Sequence, residues 1–194
     1  MIELPDPKRA FEYENNYYLA SDPSRLAKAI AHYELFSEAL GLAGSIVECG
    51  VFKGASLVRL ATYRGMLASA EAKQIIAFDM FGEFPKSDTE EDERDRRKFT
   101  DQAGSQGIGK AQMQDVLARK GIGANIELVE GNILETMPQY IADNPQLKIS
   151  LLNLDTDVYE PAKCILENLY ERIVPGGVLL LDDYAVHDGE TRAV

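Results

Sequence analysis

Two apolar runs that end in acids, joined by a segment of helical period, constrain this chain more than any other feature. The first reads Ile149-Ser-Leu-Leu-Asn-Leu-Asp155-Thr-Asp157, the second Val178-Leu-Leu-Leu-Asp182-Asp183-Tyr184. Continuous apolar runs of this length are strands covered on both faces, as in a parallel sheet. Between them Ala162, Ile165, Leu166, Leu169 and Ile173 share one helical face. Strand, crossover helix and strand make parallel neighbours, so both acid pairs emerge at the same sheet edge. That edge is where open α/β sheets bind ligands. Four carboxylates gathered there repel one another unless a cation joins them. A hard divalent ion such as Mg2+ is the simplest candidate, because it prefers oxygen ligands.

The length of 194 residues and the hydrophobic content of 45% suit one domain with a real core. No apolar run approaches the ~18 residues of a membrane span. The start, Met1-Ile-Glu-Leu-Pro-Asp-Pro, lacks the apolar centre of a secretory signal. The expectation is a soluble, cytoplasmic protein with no membrane partner. A formal net charge of −12 argues against nucleic acid. It leaves an anionic small ligand open, because a local site can invert the global field. Cys49 and Cys164 form no metal or redox spacing and read as small core residues.

Taken in order, residues 1–23 read as an irregular arm rich in proline, with Tyr13, Tyr17 and Tyr18 clustered. The aromatics either line a substrate pocket or pack the arm on the body or a second subunit; a homo-oligomer is expected. The remainder, residues 24–194, reads as one domain. A helix from about Ser24 to Leu40 carries Leu26, Ile30, Tyr33, Phe36 and Leu40 as its apolar stripe. Ser45 to Ser56 then reads as strand, glycine turn and helix. Gly50 permits the turn, and Gly54 permits close approach at the helix start. Exposed N–H groups there suit a negative group, whereas Glu48 at the strand end suits a cation. Gln74 to Asp79 is the next strand. An acid after the second strand of such a sheet accepts hydrogen bonds from a ribose diol, or is an exposed loop acid.

Residues 86–110 are strongly charged and then glycine-rich. They read as a solvated, mobile insertion or as a lid over the site. Gly104 to Ala111 nearly matches a phosphate-binding loop, but Ala111 lacks the required hydroxyl and no apolar strand precedes it. A helix near Lys110 to Lys120 leads to strand Ile126 to Glu130. Asn132 follows, placed to bond an adenine edge or to cap a helix starting near Leu134. With the strand Leu147 to Leu154, the order gives an α/β fold: a Rossmann-like three-layer sandwich with at least five mostly parallel strands.

Five stretches resemble the macrocin and mycinamicin O-methyltransferase family: Glu48-Cys-Gly-Val-Phe-Lys-Gly54, Ala77-Phe-Asp-Met-Phe-Gly-Glu-Phe-Pro85, Gly131-Asn-Ile-Leu-Glu-Thr-Met-Pro138, Leu154-Asp-Thr-Asp-Val-Tyr-Glu-Pro161, and Pro175-Gly-Gly with Asp182-Asp-Tyr184. They occur in family order, and the two acid motifs are the specific part. The resemblance implies a class I methyltransferase that uses S-adenosylmethionine and a divalent metal to methylate a deoxysugar hydroxyl. The sugar is attached to a natural product or carried as a nucleotide sugar. It makes Asp155, Asp182 and Asp183 metal ligands. Glu48, Gly50 and Gly54 would line the methionine part of the cofactor, Asp79 would take the ribose, and Asn132 would lie near the adenine. Asp157 would serve the cofactor or metal, or cap the helix begun by Asp157-Val-Tyr-Glu160. Members continue past Asp-Asp-Tyr with a helix and two more strands. This sequence stops at Val194, so those strands are expected to be missing.

The expected reaction is in-line displacement at the cofactor methyl by a sugar hydroxyl. Asp155 holds the metal and accepts the proton; His187 is the alternative base. Rival readings are a catechol-type O-methyltransferase, a non-catalytic cofactor-binding module, and an NAD-dependent oxidoreductase. The last is disfavoured because the Gly-x-Gly-x-x-Gly pattern is absent from the first turn.

Overall fold

The computed structural model describes residues 2–86 and 89–194; residue 1 of the arm and residues 87–88 of the predicted lid lie outside the described residues. The apolar runs form β1 (Ser45–Cys49), β2 (Ile75–Asp79), β3 (Ile126–Glu130), β4 (Ile149–Leu154) and β5 (Ile173–Leu181), in the spatial order β3-β2-β1-β4-β5. Every pairing is parallel. The chain builds outward from β1 to β3, then returns to place β4 on the other side of β1. The direction of winding therefore reverses between β1 and β4.

Alternation along the strands divides the core. Ile46, Ile75, Ala77 and Leu151 pack with Phe36 of α2 (Pro23–Leu40), with Leu57, Leu60 and Ala61 of α3 (Ala55–Leu67), and with Met113 and Leu117 of α5 (Lys110–Arg119). Val47, Ile76, Phe78, Leu152 and Leu154 pack on the opposite face with Met137 of α6 (Ile133–Asp143) and with Ala162 and Ile165 of α7 (Tyr159–Leu169). The result is the expected three-layer α/β sandwich. Cys49 lies in the second cluster, and both cysteines are free. β5 starts earlier than the apolar run suggests. A register shift between Ile149 and Leu151 on β4 absorbs Pro175-Gly176-Gly177.

Three helices differ from expectation. Residues Ala10–Ala20 of the arm form a helix, α1, with no buried residue. On α2 the buried face carries His32, Phe36 and Ala39, while Leu26, Ile30 and Tyr33 are exposed. The stripe is rotated because α2 presents polar groups to a buried acidic cluster. Residues Glu90–Ala103 of the charged segment form α4, whose buried residues are Asp92, Asp95 and Arg96. A final short helix, α8 (Asp188–Ala193), follows β5. No described helix is long and apolar enough to cross a membrane.

Candidate active site

Where β1 and β4 part, their carboxyl ends open a cavity of about 920 Å³. This is the switch point at which doubly wound sheets bind ligands. Its two halves are built differently.

The first half is backbone. Gly50 holds φ at +95°, and a Cβ there would meet the carbonyl oxygen of Asp155 at 1.7 Å. Only glycine lets β1 pass the end of β4 so closely. Beyond it, the Val51 and Phe52 N–H groups donate to Asp79 Oδ2 at 2.8 and 3.0 Å, and the Phe81 N–H donates to Oδ1 at 2.6 Å. Burial pushes the Asp79 carboxyl upward, and these three donors oppose the shift. Asp79 thus ties the turns after β1 and β2 together while lining the cavity. Asn132 also lines it. Its side chain caps α6, accepting from the Leu134 N–H at 3.1 Å.

Two residues expected on the cavity wall lie behind it. Glu48 is fully buried and accepts from Asn153 Nδ2 at 3.3 Å. As an even-numbered residue of β1 it shares the face of Ile46, beneath α3, and does not line the cavity. Burial pushes its carboxyl up to about 7, against the Ser56 and Asn153 side chains. Gly54 also stays off the wall. It holds φ at +88° before α3, and a Cβ would meet Met113 Sδ of α5 at 2.9 Å. A left-handed backbone and the close packing of α5 both favour glycine here.

The second half is carboxylate. The last sheet pair is Leu154 with Leu181, and the Asp182 N–H donates to the Leu154 carbonyl at 3.0 Å. The next step along both strands therefore sets Asp155 beside Asp182. Ligand oxygens of Asp155, Asp182 and Asp183 all lie within 4.8 Å of one another. Burial, followed by the charges of Asp182 and Asp183, pushes the Asp155 carboxyl well above its ordinary range. Burial acts on Asp182 too, but hydrogen bonds from His32 and Lys28 outweigh it and hold this carboxyl down to about 2. Three hard oxygen donors at this spacing fit a divalent cation of the Mg2+ type.

Beside the triad, Asp157 adopts φ +64°, donates its N–H to Asp183 Oδ2 at 3.2 Å, and lies 3.3 Å from His187 Nε2. Asp157, Asp183 and His187 form a second close group. Burial, followed by the charge of Asp183, raises Asp157 to about 8. Asp157 does not cap α7; the cap position belongs to Val158. The N–H groups of Tyr159 and Glu160 at the start of α7 instead donate to Asp92 of α4, at 3.0 and 3.3 Å. Glu190 of α8, fully buried, accepts the Asp183 N–H at 3.1 Å, and burial lifts its carboxyl to about 8.

Several cavity or site residues had no clear signal in the sequence. Lys28 and His32 both reach Asp182 from α2. Their four-residue spacing continues to the buried Phe36, which is the pattern that could have revealed them. Arg96 and Phe99 enter the cavity from α4, and Phe99 packs edge-on against Phe52 with ring centroids 5.0 Å apart. Tyr17 of α1, one of the clustered aromatics for which pocket lining was one of the two expectations, also lines the cavity.

Residues 25–194 match the macrocin-O-methyltransferase (TylF) family. The chain is 27% identical over 150 residues to 8-demethyl-8-(2,3-dimethoxy-alpha-L-rhamnosyl)-tetracenomycin-C 4'-O-methyltransferase of Streptomyces olivaceus, covering 75% of this chain and 55% of that one. It is 26% identical over 152 residues to mycinamicin III 3''-O-methyltransferase of Micromonospora griseorubida, covering 75% and 57%. It thus spans just over half the length of these relatives. Among solved structures it resembles the calicheamicin methyltransferase CalS11, with a TM-score of 0.74 and 29% identity over 97% of this chain and 77% of that one. The O-methyltransferase NovP shares the fold, with a TM-score of 0.69 at 18% identity over 86% and 68% of the two chains. By this match, which takes in both acid-ended strands and the cavity between them, the chain belongs to the macrocin-O-methyltransferase family.

Proposed function

We propose that this chain forms the catalytic unit of an S-adenosylmethionine-dependent O-methyltransferase that methylates a deoxysugar hydroxyl with the help of a divalent metal. The sugar is carried on a nucleotide or on a glycosylated natural product. The observation that carries the reading is the convergence of Asp155, Asp182 and Asp183 within one cavity of a chain from this family. Family membership and the sugar-directed names of the relatives support the acceptor class.

In this reading the Gly50 turn and Asp79 receive the methionine and ribose parts of the cofactor, with Asn132 at the adenine end and Glu48 bracing the turn from behind. Asp155, Asp182 and Asp183 would hold the ion. A divalent ion bound there supplies Lewis acidity, which lowers the pKa of an alcohol. Asp155, which lines the cavity at the end of β4, would take the hydroxyl proton; His187, beside Asp157, is the alternative acceptor. Bound S-adenosylmethionine would supply an electrophilic methyl group: the hydroxyl oxygen would form the new O–C bond as the S–C bond breaks, and the thioether would leave with the electron pair. Orientation between the two halves of the cavity supplies the largest share of the acceleration, on the order of 7–11 kcal/mol. Residues 24–194 act as the methyltransferase domain, residues 86–110 as its lid, and residues 1–23 as an arm whose exposed Phe11, Tyr18 and Leu19 are the surface that a homo-oligomer would cover.

The test uses isotopically labelled cofactor and mass spectrometry against nucleotide deoxysugars, glycosides and catechols, with Mg2+ or with chelator. Transfer to a deoxysugar that chelator abolishes is expected. Asp182→Ala should abolish that transfer while leaving cofactor binding largely intact. Undiminished transfer in chelator removes the metal from the mechanism, and transfer to catechols alone replaces the acceptor class.

A further inference from the structure

The buried face of α2, His32, Phe36 and Ala39, continues at its start to the half-buried Lys28, and Lys28 and His32 turn toward the acidic triad. Lys28 Nζ forms an ion pair with Asp182 Oδ2, and His32 Nε2 lies 3.6 Å from Asp182 Oδ1. Lys28 thus holds one oxygen of this triad member directly, and His32 stands close to the other. The helix that brings these groups is itself fixed. Arg59 of α3 lies 3.2 Å from His32 Nδ1, and the Tyr63 hydroxyl donates to the Ala29 carbonyl at 2.7 Å. The side chain of Asp182 is only 10% exposed and that of Lys28 33%. The contact is thus partly withdrawn from water and is stronger than an ordinary surface pair.

An ammonium seated on a carboxylate and a divalent ion bound by the same carboxylate are alternatives. Two positive centres close to one oxygen repel, and the oxygen cannot give its full charge to both. We propose that Lys28 is the resident counter-cation of the triad and competes with a divalent ion for Asp182, so that it sets how weakly and reversibly that ion is held. Lys28 is then a positioning residue acting through Asp182. This rests on the reading that the triad takes a divalent ion.

Titration of Mn2+ followed by electron paramagnetic resonance, on the intact chain and its variants, tests this without turnover. Lys28→Met should bind Mn2+ at least about fivefold more tightly than wild type, a change of roughly 1 kcal/mol. Lys28→Arg, which keeps the charge, should stay within about twofold. Lys53→Met should also stay within about twofold, because Lys53 lines the same cavity but donates to the Ala103 carbonyl rather than to an acid. Equal or weaker binding by Lys28→Met, or equal tightening by Lys53→Met, overturns the role of Lys28 and leaves the metal reading standing. Absence of Mn2+ binding in both wild type and Lys28→Met overturns both. Should Lys28→Met not fold, wild-type chain labelled at lysine side-chain carbons gives the answer. Mg2+ should move the resonance that Lys28→Arg removes, and a resonance that stays in place while the ion binds contradicts the proposal.

Discussion

The two halves of the cavity treat a buried strand-end carboxylate in opposite ways. Asp79 at the end of β2 accepts three backbone N–H groups. Asp155, just beyond β4, faces two other carboxylates instead. The first acid is satisfied by the chain itself and stabilises the turns around it. The second is destabilised by its neighbours and is relieved only by a positive partner. One sheet edge thus separates a preorganised, self-sufficient wall from one that needs a cation to be at rest.

Breaking the first half should cost the most. Asp79→Ala leaves three backbone donors without their acceptor, and each such loss costs about 1–3 kcal/mol when buried. Because Asp79 keeps some exposure, a total on the order of 3 kcal/mol is expected in denaturant unfolding. A change below about 1 kcal/mol would show that water replaces the carboxylate at little cost.

The second half should respond with the opposite sign. Asp155→Asn removes one like charge from the triad, so the metal-free protein should gain about 1–2 kcal/mol, or about 2–8 °C in melting temperature. The same variant should lose at least about tenfold in divalent-ion affinity. Loss of stability in the metal-free variant would mean that Asp155 makes attractive contacts that outweigh the crowding.

The pH dependence sharpens the contrast further. Asp155, Asp157 and Glu190 have folded pKa values above their unfolded ones. Between those values the folded chain holds more protons than the unfolded chain, so stability falls as pH rises. For Asp157 and Glu190 the window runs from about 4 to about 8. Asp182 has the reverse sign: its contribution is present above its unfolded value and is lost only as pH falls toward 2. Metal-free protein should therefore melt at a lower temperature at about pH 8 than at about pH 5, and excess Mg2+ should narrow the gap. A melting temperature that rises over this range contradicts the crowding. The smallest effect is expected at Asp92→Asn. It weakens the carboxylate at the start of α7 and should cost about 1 kcal/mol by thermal unfolding.

The contrast also marks what the sequence made legible. Strands such as Ile149–Leu154 are apolar at nearly every position because both faces are covered, and hydrophobicity alone places them and the acids that follow. α2 and α4 were harder, because their inward faces carry the half-buried Lys28 and the buried His32, Asp92, Asp95 and Arg96. A rule that seeks apolar stripes turns α2 to the wrong side and reads α4 as solvated. Several of those charges have partners far away in the chain: Asp182 for Lys28, the Tyr159 and Glu160 N–H groups for Asp92, and the Gly189 N–H for Asp95, which Lys98 also pairs locally. Pairings of that range leave no local period. Glu48 and Gly54 show the converse. Their motif positions were evident, but only the packing of α3 and α5 shows that they support the cavity from behind.

The most direct test of the central claim is anomalous diffraction from crystals of the chain soaked with Mn2+. The account predicts a single strong peak within coordination distance, about 2.0–2.6 Å, of oxygens from Asp155, Asp182 and Asp183. No peak at the triad under saturating Mn2+, or a peak only at some other group of acids, would contradict it.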